Sequence, residues 1–86
     1  MFSVKAINNM VQNTLNASVG NPVGSGTFIT MNEKVVFISY GESITVRRDN
    51  ENGEVIKSIE VEAQNSSKEA HKHARSIMSE IKAIFS

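Results

Sequence analysis

Apolar residues near the start of the chain recur at steps of three and four positions. These steps mark one face of a helix, which carries Val4, Ile7, Met10, Val11 and Leu15. Gly20 and Pro22 follow this pattern. Glycine suits the end of a helix, and proline lacks the backbone N–H that a continuing helix needs. The sequence therefore predicts an N-terminal helix that ends before Gly20.

The middle of the chain changes to an alternating pattern that is typical of strands. Residues 27–63 contain four stretches rich in β-branched and aromatic residues, separated by short polar segments. Asn32-Glu33 and Gly41-Glu42 have the composition of two-residue hairpin turns, and residues 49–53 form a longer polar loop. Because connections this short join antiparallel neighbours, the pattern predicts a four-stranded antiparallel meander.

The last part of the chain returns to helical spacing. Ser66 and Glu69 have the spacing of a capping box, in which the serine hydroxyl accepts a hydrogen bond from the backbone N–H of the glutamate. One apolar stripe follows, made of Ala70, Ala74, Ile77, Met78, Ile81, Ile84 and Phe85. The predicted fold is α+β, a single domain over residues 1–86 with the order α-β-β-β-β-α, in which an N-terminal and a C-terminal helix flank the meander.

The turn lengths predict which side chains share a face of the sheet. A two-residue turn at Gly41-Glu42 places Phe37 opposite Val46 and Ile38 opposite Thr45. Alternation then gives one face as the bed for the helices, with Phe28, Val35, Phe37, Ile44, Val46, Val55, Ile59 and Val61. The other face is polar on its last two strands and apolar on its first two, where it carries Ile29, Met31, Val36, Ile38 and Tyr40.

An apolar patch with a polar rim is typical of an interface. We therefore predict that Ile29, Met31, Val36, Ile38 and Tyr40 form a dimer or partner interface. Most soluble oligomers are symmetric homodimers, so a second copy of the chain is the simplest occupant. The alternative is that the N-terminal helix crosses to this face and covers the patch within one chain.

Composition narrows the possible functions. The chain has 86 residues, a formal net charge of zero and no cysteine, so disulfides and thiolate metal sites are excluded. Nucleic-acid-binding proteins are usually basic, and the neutral total lowers that expectation. The N-terminus lacks the features of a signal peptide, and no stretch has the length of a membrane span. These observations favour a cytoplasmic protein without a membrane partner.

The stretch VGNPVGSGTF, at residues 19–28, contains three glycines and the only proline. A phosphate-binding glycine loop follows a strand and opens a helix, so that backbone N–H groups point at the anion. Here a predicted helix precedes the loop and a predicted strand follows it. The glycines are therefore expected to end the first helix and turn the chain into the sheet.

Residues with catalytic or metal-binding chemistry are few. His71 and His73 lie two apart on the predicted helix and point about 200° away from each other, so they cannot share a metal ion. Glu69 and His73 are the one pair with ligand-like spacing, and one pair is too few for a metal site. Glu60 and Glu62 are separated by about 7 Å on a strand, as exposed carboxylates often are. The sequence predicts no enzyme activity, cofactor or metal.

Two helix surfaces remain as candidates for partner binding. The N-terminal helix carries an uncharged amide surface made of Asn8, Asn9, Gln12, Asn13 and Asn16. The C-terminal helix carries a basic surface made of Lys68, His71, Lys72, Arg75 and Lys82, which suits nucleic acid or an acidic partner. No aromatic residue lies among these cations to stack on bases, which disfavours nucleic acid.

These observations predict a small, non-enzymatic protein-interaction module that forms a homodimer. It is expected to act sterically on a partner protein, as an inhibitor or accessory factor of the phage or mobile-element type. The alternative is a nucleic-acid-binding protein that uses the basic surface of the C-terminal helix.

Overall fold

The computed structural model describes residues 1–24 and 26–86 and has an α+β architecture. Its elements in chain order are helix α1 (Val4–Ser18), strands β1 (Gly20–Val23), β2 (Gly26–Met31), β3 (Lys34–Tyr40), β4 (Ser43–Arg48) and β5 (Val55–Glu60), and helix α2 (Ser67–Ala83). The strands form one antiparallel sheet in the order β1-β2-β3-β4-β5. The predicted class is confirmed, but the sheet has five strands rather than four.

The additional strand, β1, lies in the glycine-rich stretch that was predicted to be only a turn. Gly20 pairs with Ile29, and Val23 pairs with Gly26. Pro22 is tolerated because β1 is an edge strand, where a missing N–H leaves no neighbour unpaired. The chain then reverses through Gly24, whose φ of 56° is readily adopted by glycine. A strand follows this stretch, as predicted, and not the helix that a phosphate loop requires.

Side-chain hydrogen bonds fix the N-terminal ends of both helices and the C-terminal end of α2. The Ser3 hydroxyl accepts from the Ala6 N–H at 3.1 Å, and the Ser66 hydroxyl accepts from the Glu69 N–H at 3.2 Å, as predicted for α2. At the other end of α2, Lys34 Nζ lies 3.2 Å from the carbonyl oxygen of Ile84. The first residue of β3 therefore contacts the C-terminal end of α2, where a positive charge is favourable.

The predicted pairing of β3 with β4 is wrong by one residue. Tyr40 pairs with Ile44 and Ile38 pairs with Val46, so three residues rather than two lie between the last pair of this hairpin, and Ser43 belongs to β4 only through its pairing with Glu60 on β5. By contrast, the predicted pairing of Phe28 with Phe37 across the Asn32-Glu33 turn is confirmed. The three-residue connection reverses the relative faces of β3 and β4 from those predicted.

Both helices pack on one face of the sheet and enclose a single core. The buried residues of this core are Ile7, Val11, Leu15, Ile29, Val36, Ile38, Ile44, Val46, Ile59, Val61, Ala70, Ala74, Ile77, Ile81 and Phe85. The predicted exposed patch is thus corrected, because Ile29, Val36 and Ile38 are at most 1% exposed. Tyr40 packs against the core, and Met31 alone of the five remains on the surface.

Neither helix of residues 1–24 and 26–86 packs on the opposite face of the sheet, and we call this the open face. Because side chains alternate along each strand, it consists of the residues between the core positions. It includes Val23, Phe28, Thr30, Val35, Phe37, Ser39, Thr45, Arg47, Val55, Ser58 and Glu60. Phe28, Val35, Phe37 and Val55, predicted to lie beneath the helices, are therefore on the open face.

Neither helix in the described part of the chain combines the length and apolar composition that a membrane crossing requires.

Candidate protein-interaction surface

Two aromatic rings form the centre of the open face. Phe28 and Phe37 lie opposite each other on β2 and β3, with ring centroids 4.9 Å apart and ring planes at 64°. Phe37 is only 3% exposed although neither of the two described helices covers it. Its ring packs against Phe28 and lies over Gly26, where a side chain would collide with it. The Phe37 ring is therefore held in place between Phe28 and the backbone of Gly26.

A row of small residues runs across the strands beside these rings. Gly26 pairs with Ser39, Ser39 with Thr45, and Thr45 with Ser58. The neighbouring row contains Phe28, Phe37, Arg47 and Val55. The Phe37 ring covers Gly26, so the large row forms a ridge beside a shallow trough made of Ser39, Thr45 and Ser58. Side chains of such rows interdigitate when two sheets pack together.

The open face also carries charge of both signs and exposed apolar groups. Arg47 and Glu60 lie four residues apart along the strand direction, since Glu60 pairs with Ser43, which places them about 13 Å from each other. Val23 is 48% exposed and Val55 is 46% exposed. An apolar centre with separated opposite charges at its margin has the composition of a binding surface.

Both edges of the sheet are poorly suited to pairing with another chain. The edge strand β1 has only four residues and contains Pro22. The other edge strand, β5, carries a bulge next to Val55 and a charged residue, Lys57, whose ammonium lies 3.5 Å from the Glu80 carboxylate. Short strands, proline, bulges and lysine are features that prevent edge-to-edge association. The open face is therefore the better candidate surface of the sheet.

The predicted amide surface of α1 is divided by the fold. Asn8 is buried and donates its side-chain N–H to the carbonyl oxygen of Gly41 at 2.6 Å, while its own Oδ1 has no partner among the described residues. Asn16 accepts a hydrogen bond from the Thr27 hydroxyl. Gln12 is half-buried, and Asn9 and Asn13 are exposed. Only the last two amides form a freely accessible surface, and their role in partner binding stays a prediction.

A short polar chain joins α1 to the sheet. The Tyr40 hydroxyl donates to Thr27 Oγ1 at 3.0 Å, and Thr27 donates in turn to Asn16 Oδ1 at 2.8 Å. Thr27 is fully buried, so these bonds satisfy polar atoms that water cannot reach. Burial raises the pKa of Tyr40 above its usual value of 10.0, and the hydrogen bond with Thr27 opposes this shift only in part.

The raised pKa of Tyr40 predicts a loss of stability in strong alkali. The folded state favours the neutral phenol. The contribution of Tyr40 to the free energy of unfolding is therefore complete below pH 10 and is lost as the pH rises towards and through the folded-state pKa. We expect the free energy of unfolding to fall more steeply above about pH 10 in the wild type than in Tyr40→Phe. Urea denaturation of both proteins across this range measures the difference, and parallel curves would contradict the prediction.

Tyr40 can also be titrated directly, because it is the only tyrosine and the chain has no tryptophan. The near-ultraviolet absorbance of its phenolate should appear at a higher pH in the folded protein than in the same protein in denaturant. This titration provides an independent measure of the shift, since lysine ionisation does not contribute to it.

The two histidines lie apart on α2. His73 Nε2 accepts a hydrogen bond from the Glu62 N–H at 3.1 Å, and His71 Nδ1 donates to the Ser67 carbonyl oxygen at 2.7 Å. Glu62, Glu69 and His73 line an open groove of about 470 Å³. Among residues 1–24 and 26–86, no three histidine or carboxylate side chains are arranged to hold a metal ion. The histidine rings therefore join α2 to its own backbone and to the chain after β5.

The basic surface of α2 is accessible. Lys68, His71, Lys72, Arg75 and Lys82 are all exposed. None of the four cations makes an ion pair within the part of the chain that the structure describes. Their charges are therefore available to a partner, although Glu69 lies among them.

A smaller cavity, of about 280 Å³, lies at the end of the sheet near the β2–β3 turn. Its apolar part is formed by Val35, Val36, Ile56 and Ile84, and Lys34 and Arg48 are among the charged residues around it. Glu33 and Asp49 also line the cavity, so its rim carries both positive and negative charges. This arrangement does not select one class of ligand.

No family model, no curated protein and no solved structure matches this chain.

Proposed function

We propose that the chain is a small, non-enzymatic protein-interaction module that binds its partner through the open face of the sheet. The observation that supports this most directly is the placement of both helices on one side, which leaves Val23, Phe28, Val35 and Val55 without cover. Burial of such apolar surface against a partner lowers the free energy of the complex by roughly 25 cal/mol for each Å² removed from water.

The mechanism is steric. Phe37 is held by Phe28 and by its position over Gly26, so the centre of the open face is ordered before binding. A preordered surface loses little conformational entropy when it associates, which favours affinity. The module would act by occupying a surface of its partner, without a chemical step.

A pair of matched variants tests this proposal. Thr45→Arg places a long cation on the open face, in the row next to Phe37, whereas Ser79→Arg makes the same change in charge at an exposed position of α2. Each is immobilised beside the wild type and exposed to nuclease-treated extract of the cells that produce the protein. We expect a protein that the wild type and Ser79→Arg retain in comparable amounts and that Thr45→Arg loses at least tenfold.

Both variants must first give the far-ultraviolet circular dichroism spectrum of the wild type. Equal retention of every bound protein by Thr45→Arg and wild type would contradict binding through the open face. So would a partner that is lost with Lys72→Glu/Arg75→Glu but kept with Thr45→Arg, because that pattern locates the contact on α2.

The second candidate function is nucleic-acid binding through the basic surface of α2. The observation that favours it is the absence of ion pairs at Lys68, Lys72, Arg75 and Lys82 within the described residues. Binding of a labelled oligonucleotide should then weaken steeply as salt is added, because each neutralised phosphate releases counterions. Fluorescence anisotropy of the wild type and of Lys72→Glu/Arg75→Glu tests this, and equal signals from both proteins would exclude this surface.

A further inference from the structure

We infer that the occupant of the open face is a second copy of this chain, packed face to face about a two-fold axis. The inference rests on the proposed function, because it uses the same surface, and it identifies the partner and its register. The axis crosses the strands at the row of small residues, so that Thr45 of one copy lies next to Thr45 of the other.

The shape of the open face supports this arrangement. The axis runs along the Thr45 row, across the strands. It therefore places the row that contains Arg47 in one copy over the row that contains Ser43 in the other copy, since each lies two residues from Thr45 along β4. The large row contains Phe28, Phe37 and Arg47, and the row it would meet contains Ser43 and Glu60. On β4, Arg47 of each copy thereby lies over Ser43 of its partner, and the small residues Ser39 and Ser58 on either side of Thr45 permit close approach at the axis.

The charges of the open face support the same register. Arg47 and Glu60 lie on opposite sides of the Thr45 row, Arg47 two residues along β4 and Glu60 beside Ser43. The two-fold axis exchanges the two sides, so Arg47 of each copy approaches Glu60 of the other. The surface is therefore complementary to itself, and no like charges meet across the axis.

The edges of the sheet do not offer an equivalent site for a second copy. Pro22 and the shortness of β1 block one edge, and the bulge and Lys57 disrupt the other. Strand-to-strand pairing into a continuous sheet is thus disfavoured. Packing of the two open faces is the symmetric arrangement that remains for the sheet.

The size of the open face predicts a weak dimer. Five strands at a spacing of about 4.8 Å and about six residues each give a face roughly 20 Å by 20 Å. Such a face buries less than the roughly 800 Å² per partner of a standard stable interface. We therefore expect the mass in solution to rise from monomer towards dimer as the protein concentration increases from micromolar to millimolar.

Sedimentation equilibrium across this concentration range is the primary test. The wild type and Ser79→Arg should give the same increase in mass, and Thr45→Arg should remain a folded monomer, because it would bring two arginines together at the axis. A wild type that stays monomeric at the highest concentration would overturn the dimer. It would not contradict binding of a different protein through the open face, which the capture experiment tests separately. A dimer that persists in Thr45→Arg would also overturn the inference, because its interface would then lie outside the open face.

The register has its own test, because the chain contains no cysteine. Thr45→Cys should be converted to a covalent dimer by a short bismaleimide cross-linker, and Ser79→Cys should not. Glu60→Arg should raise the dissociation constant of the dimer at least tenfold, and the charge-exchanged variant Arg47→Glu/Glu60→Arg should recover most of the lost affinity. Equal cross-linking of the two cysteine variants, or no recovery in the double charge variant, would overturn this register.

Discussion

Replacing Ile38 with aspartate is expected to leave the chain unfolded. Ile38 is fully buried at the centre of β3, where it pairs with Val46 and packs in the core beneath the helices. Loss of a buried isoleucine side chain alone costs about 2–5 kcal/mol, and a carboxylate placed there has no partner for its charge. A domain of 86 residues has a total stability of roughly 4–13 kcal/mol, so the substitution removes most or all of it.

Far-ultraviolet circular dichroism and thermal denaturation of Ile38→Asp measure this effect. Val55→Asp is the matched control, since it introduces the same charge at a position that is 46% exposed on the open face. The control should retain the spectrum of the wild type and a cooperative transition. A folded Ile38→Asp protein would mean that β3 presents its other face to the helices, as the two-residue turn at Gly41-Glu42 predicts.

The parts of the fold that the sequence predicted correctly are those determined by local chemistry. The apolar spacing of both helices, the Ser66 cap and the two-residue Asn32-Glu33 turn each involve residues close in the chain. Asn32 and Glu33 adopt positive φ angles of 51° and 65°, as a tight hairpin turn requires. Such features depend little on the rest of the structure, so a short stretch of sequence is enough to identify each of them.

The β3–β4 register was not determined locally. Gly41-Glu42 and Gly41-Glu42-Ser43 are both acceptable hairpin connections, and they differ by one residue in the pairing. The core decides between them. The three-residue connection places Ile38 and Ile44 on the same face beneath the helices, whereas the two-residue connection leaves apolar residues on both faces. A requirement that the central strands present one continuous apolar face would have selected the observed register.

The candidate surface was misplaced for the same reason. Reversing the face of β3 relative to β4 moved Ile29 and Ile38 into the core and left Phe28 and Phe37 on the open face. β1 was missed because glycine and proline oppose strand structure on their own, and only pairing with β2 gives it a strand conformation. A surface defined by three strands therefore could not be located from turn propensities alone, although the presence of an uncovered sheet face could be expected.

Replacing Gly26 with alanine is expected to destabilise the fold by about 2–3 kcal/mol, because the added methyl group overfills a closely packed position. A Cβ at this position would collide with the Phe37 ring and with the backbone carbonyl oxygen of Ile38. The ring can move only by leaving its contact with Phe28, and the carbonyl belongs to the β2–β3 pairing. Chemical denaturation of the wild type and Gly26→Ala measures the cost.

Gly41→Ala is the control for the intrinsic effect of a glycine-to-alanine change. A Cβ at Gly41 would have only ordinary contact with the Ser43 carbonyl oxygen, at 3.8 Å. Its effect should stay within about 0.5 kcal/mol, as at other surface positions. Equal losses in the two variants would show that steric conflict at Gly26 is not the cause.

The contribution of the Phe37 ring to this conflict can be isolated with the double variant Gly26→Ala/Phe37→Ala. Removal of the ring relieves one collision and leaves the one with the Ile38 carbonyl, so the two substitutions should be less harmful together than the sum of their separate effects. The coupling measures how tightly the ring is held over Gly26. Strict additivity would mean that Phe37 does not lie over Gly26, and the preordered centre of the open face, on which the binding proposals depend, would then be lost.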